Sequence, residues 1–87
     1  MTAWYTYIVR CADNSLYTGI SKNVTDRIEC HNAGKGAAYT RSHRPVVLVW
    51  KERAKSESVA RKREAQIKKL DKKEKEKLVY AKLIKLK

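Results

Sequence analysis

Apolar and polar positions along this chain alternate in strand-like runs at first and settle into helical spacing later. Trp4 to Cys11 reads as a strand, rich in aromatic and β-branched residues. Ala12-Asp13-Asn14-Ser15 is a turn cluster, and Leu16 to about Ser21 is the partner strand of a hairpin. Asn23 is placed to cap a helix, with Asp26 three residues on. That helix runs from Val24 to about Asn32, turning Val24, Ile28 and either Cys30 or His31 inward. Ala33-Gly34-Lys35-Gly36-Ala37 ends it and opens a loop that continues to Pro45. Val46 to Trp50 is the most apolar run, which predicts a buried strand at the centre of the sheet. Ser56 caps a helix reaching about Leu70, and Asp71-Lys72-Lys73-Glu74 restarts helix with a second capping box. In the last helix Val79, Tyr80, Leu83, Ile84 and Leu86 form the expected apolar stripe, with lysines opposite. The expectation is one α+β domain spanning residues 1–87, order β-β-α-β-α-α, with helices packed on a small antiparallel or mixed sheet.

Charge narrows the partners. Twenty-one Lys and Arg stand against 9 Asp and Glu, a formal charge of +12. Such an excess repels itself unless a polyanion or salt screens it, so nucleic acid is the first expectation and an anionic membrane surface the second. Glu74 and Glu76, set among the lysines, weaken the membrane reading. No apolar run approaches the ~18 residues of a bilayer span, and no basic-then-apolar leader opens the chain. Cys11 and Cys30 form no Cys-x-x-Cys pair and suit a reducing compartment, so a cytoplasmic location is expected.

Chemistry gathers at a few positions. Tyr17-Thr18-Gly19 lies on the second strand, where a glycine marks the close approach of another group. Whether Tyr7 shares the face of Tyr17 depends on the parity of the turn, and both alternatives stand open. Arg27 and His31 are four apart on one helix flank: a bidentate phosphate ligand beside a proton carrier. Asp26 and Glu29 are alternative partners for Arg27. Glu64 follows Ala60 and precedes Ile67 at helical spacing, which turns a carboxylate toward the core. It either pairs with Lys68 or Arg27, or holds a hydrated Mg²⁺ together with phosphate oxygens. Gly34-Lys35-Gly36 lacks the trailing Lys-Ser/Thr of a phosphate loop. Lys35, Tyr39, Arg41, His43 and Arg44 in the same loop suit a nucleic-acid backbone.

These residues in this order resemble the GIY-YIG nuclease superfamily, in particular its short stand-alone bacterial proteins. Tyr5-Thr6-Tyr7 stands at the first motif, with Tyr5 where the family has glycine, and Tyr17-Thr18-Gly19 stands at the second. Arg27, His31 and Glu64 match the family's arginine, histidine and metal-binding glutamate. Tyr39-Thr40-Arg41 and Lys62-Arg63-Glu64-Ala65 also look like the short subgroup. The resemblance implies a three-stranded antiparallel sheet flanked by helices, and DNA phosphodiester hydrolysis with one divalent metal, Mg²⁺ or Mn²⁺. It implies Tyr7, Tyr17, Arg27, His31 and Glu64 as the catalytic set. Tyr17 would serve as base or water-positioning group, with His31 bonded to the tyrosine or relaying its proton, Arg27 on the phosphate and Glu64 on the metal. It favours DNA over RNA, and a protein partner that supplies specificity. The alternative function is an idle nucleic-acid-binding module in repair or RNA handling.

Overall fold

A computed structural model describes residues 3–85 of the chain, with side chains through Lys82. Strands β1 (Trp4–Arg10) and β2 (Leu16–Ser21) precede helices α1 (Val24–Asn32) and α2 (Ala38–Ser42). Strand β3 (Val47–Ala54) and helices α3 (Glu57–Lys68) and α4 (Lys72–Lys85) follow. The sheet is antiparallel throughout, in the order β2-β1-β3. It is the small three-stranded sheet with flanking helices that the resemblance implies.

Local capping sets the helix starts where the sequence puts them. Asn23 accepts from the Asp26 amide at 3.1 Å, and Ser56 from the Val59 amide at 3.3 Å. Asp71 and Glu74 form a reciprocal box: the Glu74 amide donates to Asp71 at 2.8 Å and the Asp71 amide to Glu74 at 3.4 Å.

Strand order departs from expectation. β1 is the central strand, and Thr6, Tyr7, Ile8 and Val9 are all buried, because helices cover both faces and strands flank both edges. Val46 and Trp50 are buried, but Val47 and Leu48 between them are exposed, so the apolar run is an edge strand and not the centre. A β-bulge at Ile8/Val9 breaks its alternation: Ile8 pairs with Trp50 and Val9 with Leu48, leaving Val49 unopposed. The expected loop from Ala33 to Pro45 contains the short helix α2, too brief for a periodic signal. In α4, Val79 is buried and Leu78 half-buried, whereas Tyr80 points to solvent. Leu86 of the expected stripe and the side chains of Leu83 and Ile84 lie outside the described residues.

Two cores sit on opposite faces of the sheet. Tyr7, Val9 and Cys11 pack with Val24 and Val46 beneath α1, and Tyr5, Tyr17 and Ile28 join them. Ile8 and Trp50 pack with Ile67 and Val79 beneath α3 and α4. The Thr6 hydroxyl donates to the Ala60 carbonyl at 3.0 Å and fastens α3 to the central strand. Arg10 grips Glu76 through two bonds, at 2.7 and 2.8 Å, and Lys72 adds a third at 2.8 Å.

That clamp should govern acid stability. The Arg10 and Lys72 hydrogen bonds hold the Glu76 carboxyl down at about 2, against an ordinary 4.5. The ionised form is favoured by the native state, so its contribution is complete above pH 4.5 and is lost as pH falls toward 2. Thermal unfolding followed across pH 2–7 should show Tm falling in this window for the wild type. Glu76→Gln should start lower at neutral pH and lose less on acidification; equal slopes would remove the clamp from the account.

Candidate active site at the edge of the sheet

The β1–β2 register settles which face each tyrosine takes. Five residues, Cys11 to Ser15, join the strands, and Tyr7 lies opposite Gly19 while Val9 lies opposite Tyr17. Tyr7 and Tyr17 therefore share a face, the one α1 covers. Gly19 is explained by the same pairing. A Cβ there would stand 2.6 Å from Tyr7 Oη, so the open space expected beside Tyr17 is the bed of the Tyr7 phenol.

α1 brings His31 to the end of that phenol. Tyr7 Oη and His31 Nε2 are 2.9 Å apart, and His31 Nδ1 lies 2.7 Å from Thr40 Oγ1. All three side chains are fully buried or nearly so. The tyrosine bonded to His31 is thus Tyr7, whereas the family resemblance points to Tyr17. Tyr17 instead meets the imidazole edge to face, with centroids 5.6 Å apart and planes at 70°. A Schellman closure turns the chain back over the ring: the Lys35 amide donates to Cys30 at 3.0 Å and the Gly34 amide to His31 at 3.1 Å, with Gly34 at φ +82°. Gly36 then lies so close to the imidazole that no Cβ fits between them.

Charges surround this buried pair. Burial pushes the Tyr7 phenol up, the adjacent Arg27 guanidinium opposes that, and Tyr17 and Glu64 act in the same sense as burial. His31 is held below its ordinary 6.5, first by burial and then by Arg27, so the imidazole is neutral at pH 7. Among the described residues Arg27 forms no ion pair, and neither Asp26 nor Glu29 binds it. Its guanidinium lies beside the Tyr7 phenol with no carboxylate on it among the described residues, so it can still meet an anion.

Glu64 reaches the same neighbourhood from the other face of the sheet. It lies on the Ala60–Ile67 stripe of α3, and its side chain is only 20% exposed. Its Oε2 stands 3.2 Å from Lys68 Nζ, and that ammonium lies 6.0 Å from the centroid of the Tyr17 ring. Lys68 is therefore the partner taken, not Arg27. The set converges where α1 and α3 meet β2, the strand at one edge of the sheet. Beside it opens a shallow cavity of about 270 Å³, lined by Leu16, Tyr17, Thr18, Tyr39, Lys68 and Lys75.

The loop residues divide. Tyr39 stacks on Tyr17 (6.1 Å, 14°) and on His43 (4.2 Å, 8°), and its hydroxyl donates to Ser15 at 2.7 Å. His43 donates from Nδ1 to the Tyr39 carbonyl at 2.6 Å and faces Asp13 at 3.4 Å. Arg44 donates to the carbonyls of Arg41 and Asn32 at 3.1 and 3.4 Å. These three shape the loop, while the Lys35 and Arg41 side chains stand exposed without an ion pair among the described residues. The bond of Thr40 to His31 had no counterpart in the sequence reading. A threonine nine residues beyond His31 in an aperiodic stretch gives no local signal.

The family profile described as the GIY-YIG catalytic domain matches residues 3–77. The chain belongs to the GIY-YIG family. A UPF0213 protein of Staphylococcus haemolyticus is 53% identical over 79 residues, covering 91% of this chain and 96% of that protein. Another, from Desulfotalea psychrophila, is 54% identical over 80 residues, covering 91% and 73%. Among solved structures, the solution structure of the UPF0213 protein from Bacillus halodurans is similar at TM-score 0.60 and 41% identity, covering 92% of this chain and 85% of that one. That of a protein from E. faecalis gives TM-score 0.63 and 37% identity, with 100% and 91% covered. GIY-YIG membership places the chain among nucleases, generally metal-dependent enzymes of nucleic acid. No helix among the described residues is long and apolar enough to cross a membrane.

Proposed function

We propose that this GIY-YIG domain is a divalent-metal-dependent endonuclease that hydrolyses DNA phosphodiester bonds. One observation carries the reading: Tyr7 bonded to a buried His31, with Tyr17, an Arg27 that has no ion pair among the described residues, and a largely sheltered Glu64, all meeting at one sheet edge. Arg27 would clamp the scissile phosphate through its fork and stabilise the added charge of the transition state. The Tyr7 oxygen would take a proton from the attacking water as the phenol passes its own to His31 Nε2. Tyr17 flanks that phenol and would position the water. Exposed Lys35 and Arg41, with Lys68 and Lys75 by the cavity, supply positive charge for neighbouring phosphates.

Among the described residues no three His, Cys, Asp or Glu side chains form a metal cluster. The donor set is the single Glu64 carboxylate, which fits a hard cation that keeps much of its water shell, Mg²⁺ or Mn²⁺, and does not fit a dehydrated cage. Glu64 already holds one cationic group, the Lys68 ammonium, at 3.2 Å. When bound there, such a cation supplies charge neutralisation at the phosphate.

The Glu64–Lys68 pair also favours a second reading, an idle binding module in which the carboxylate only steadies α3. Labelled single-stranded, duplex, flap and branched DNA incubated with Mg²⁺ or Mn²⁺ separates the two. Cleavage lost in Arg27→Ala supports the nuclease; no cleavage of any substrate leaves the binding module. Affinity for duplex DNA should in either case fall steeply with salt. Engagement of about four phosphates gives a log–log slope of roughly −3 to −4. Salt-independent binding would defeat both.

A further inference from the structure

We infer that Thr40 is a positioning residue: it holds His31 in the Nδ1–H tautomer and so gives the buried Tyr7–His31–Thr40 chain a single direction. The inference deepens the nuclease reading, since it assigns how the site's proton acceptor is kept ready.

Both ends of the chain favour that direction. At one end, Tyr7 Oη has His31 Nε2 at 2.9 Å as a partner, and the Arg27 guanidinium beside it has donors only. With no other acceptor beside it, the buried phenol is best satisfied by giving its proton to the imidazole, an arrangement that holds only while Nδ1–H has an acceptor of its own. At the other end, Thr40 Oγ1 lies 3.0 Å from the Ala37 carbonyl, an acceptor only, and 2.7 Å from His31 Nδ1. A hydroxyl has one proton; given to Ala37, it leaves Thr40 to accept from Nδ1–H. The two ends agree on the same arrangement: Tyr7 O–H to Nε2, Nδ1–H to Thr40, Thr40 O–H to the carbonyl.

Packing keeps the ring in place. His31 and Thr40 are both fully buried, and Gly36 closes on the imidazole from the loop side. Water cannot replace a missing partner there without moving the loop. With the Nδ1–H tautomer enforced, the Tyr7 oxygen turns its lone pairs away from His31, toward Arg27 and the site. The reverse tautomer would place Nε2–H on those lone pairs and leave the phenol proton unplaced. In the cleavage step an O–H bond of water breaks as one forms on the Tyr7 oxygen. The phenolic O–H breaks as Nε2–H forms, and Thr40 remains the acceptor of Nδ1–H on the resulting imidazolium. As the phosphorus–oxygen bond to the sugar breaks, the leaving oxygen takes a proton from solvent, and the Nε2 proton returns to solvent through the Tyr7 oxygen.

Long-range ¹H–¹⁵N correlation of the ¹⁵N-labelled protein reads the tautomer without any substrate. The wild type should show His31 protonated at Nδ1 and bare at Nε2. Thr40→Val should shift the population toward Nε2–H and lower kcat about tenfold to a hundredfold with KM little changed. Thr40→Ser, which keeps the hydroxyl, should restore both. A wild-type imidazole protonated at Nε2 overturns the inference, even if the valine variant does not fold. So does a folded Thr40→Val protein that keeps the Nδ1–H form, or one whose tautomer moves while kcat does not. Wild-type protein without cleavage would remove the nuclease reading, while the tautomer still decides the role of Thr40.

Discussion

Glu64→Gln should lower Mg²⁺- or Mn²⁺-dependent cleavage about a thousandfold while DNA binding persists or tightens. The substitution keeps volume and hydrogen-bonding capacity but removes the carboxylate that pairs with Lys68 beside Tyr17. A thousandfold corresponds to about 4 kcal/mol of transition-state stabilisation, the scale of a metal acting on phosphoryl oxygens. Binding moves the other way because a negative charge leaves a phosphate site. Stability should change little, since the lost partner is an i, i+4 bridge to an exposed lysine. Single-turnover cleavage and DNA titration, run on the same preparation with a thermal melt, check all three. Lys68→Ala belongs in the series: freeing Glu64 from its ammonium should lower the metal concentration needed for half-maximal cleavage. Undiminished cleavage by Glu64→Gln would show that the carboxylate is only the helix bridge it forms with Lys68.

Gly36→Ala should both destabilise the domain and disable it. The added methyl would overlap the His31 ring at Nδ1, with Cε1 and Cγ also inside contact distance. His31 is fully buried between Tyr7 and Thr40, so the ring cannot swing aside, and the loop must lift instead. Overpacking of this kind costs about 1–3 kcal/mol, equivalent to a Tm drop of roughly 5–15 °C in a domain this small. Cleavage should fall by at least about a hundredfold, because general acid–base groups lose their effect when hydrogen-bond reach is lost. Lys35→Ala, one residue away with its side chain exposed, is the control and should leave Tm unchanged. A Gly36→Ala protein with wild-type Tm and unshifted His31 ring resonances would show that the loop does not press on the imidazole.

These two substitutions differ in how visible their targets are along the chain. Glu64 is legible because a carboxylate interrupts a helical apolar stripe, and that pattern is periodic. Gly36 is not legible, since one glycine in a glycine-lysine-glycine stretch is indistinguishable from an ordinary helix stop. Arg27 and His31 are readable as a pair because four residues make one helical turn. Thr40 is readable by no such rule, because its link to His31 exists only once the loop has folded back over α1.

Sequence alone determined the elements whose cause is local. Asn23, Ser56 and Asp71 start helices through bonds that span three residues, so these starts need no tertiary context. The net charge and the kinds of groups available for phosphate chemistry are equally properties of composition. Only the tertiary structure decided the order of the strands, because burial on both faces depends on what packs from elsewhere. Val46–Trp50 is more apolar than β1, yet the helices and strands close around β1 and leave Val47 and Leu48 exposed. Register parity put Tyr7 and Tyr17 on one face, and a single added residue in the turn would have separated them. The direction of the proton chain was set last and by the longest reach. Strand, helix and loop must all be in place before Tyr7, His31 and Thr40 stand within hydrogen-bond distance of one another.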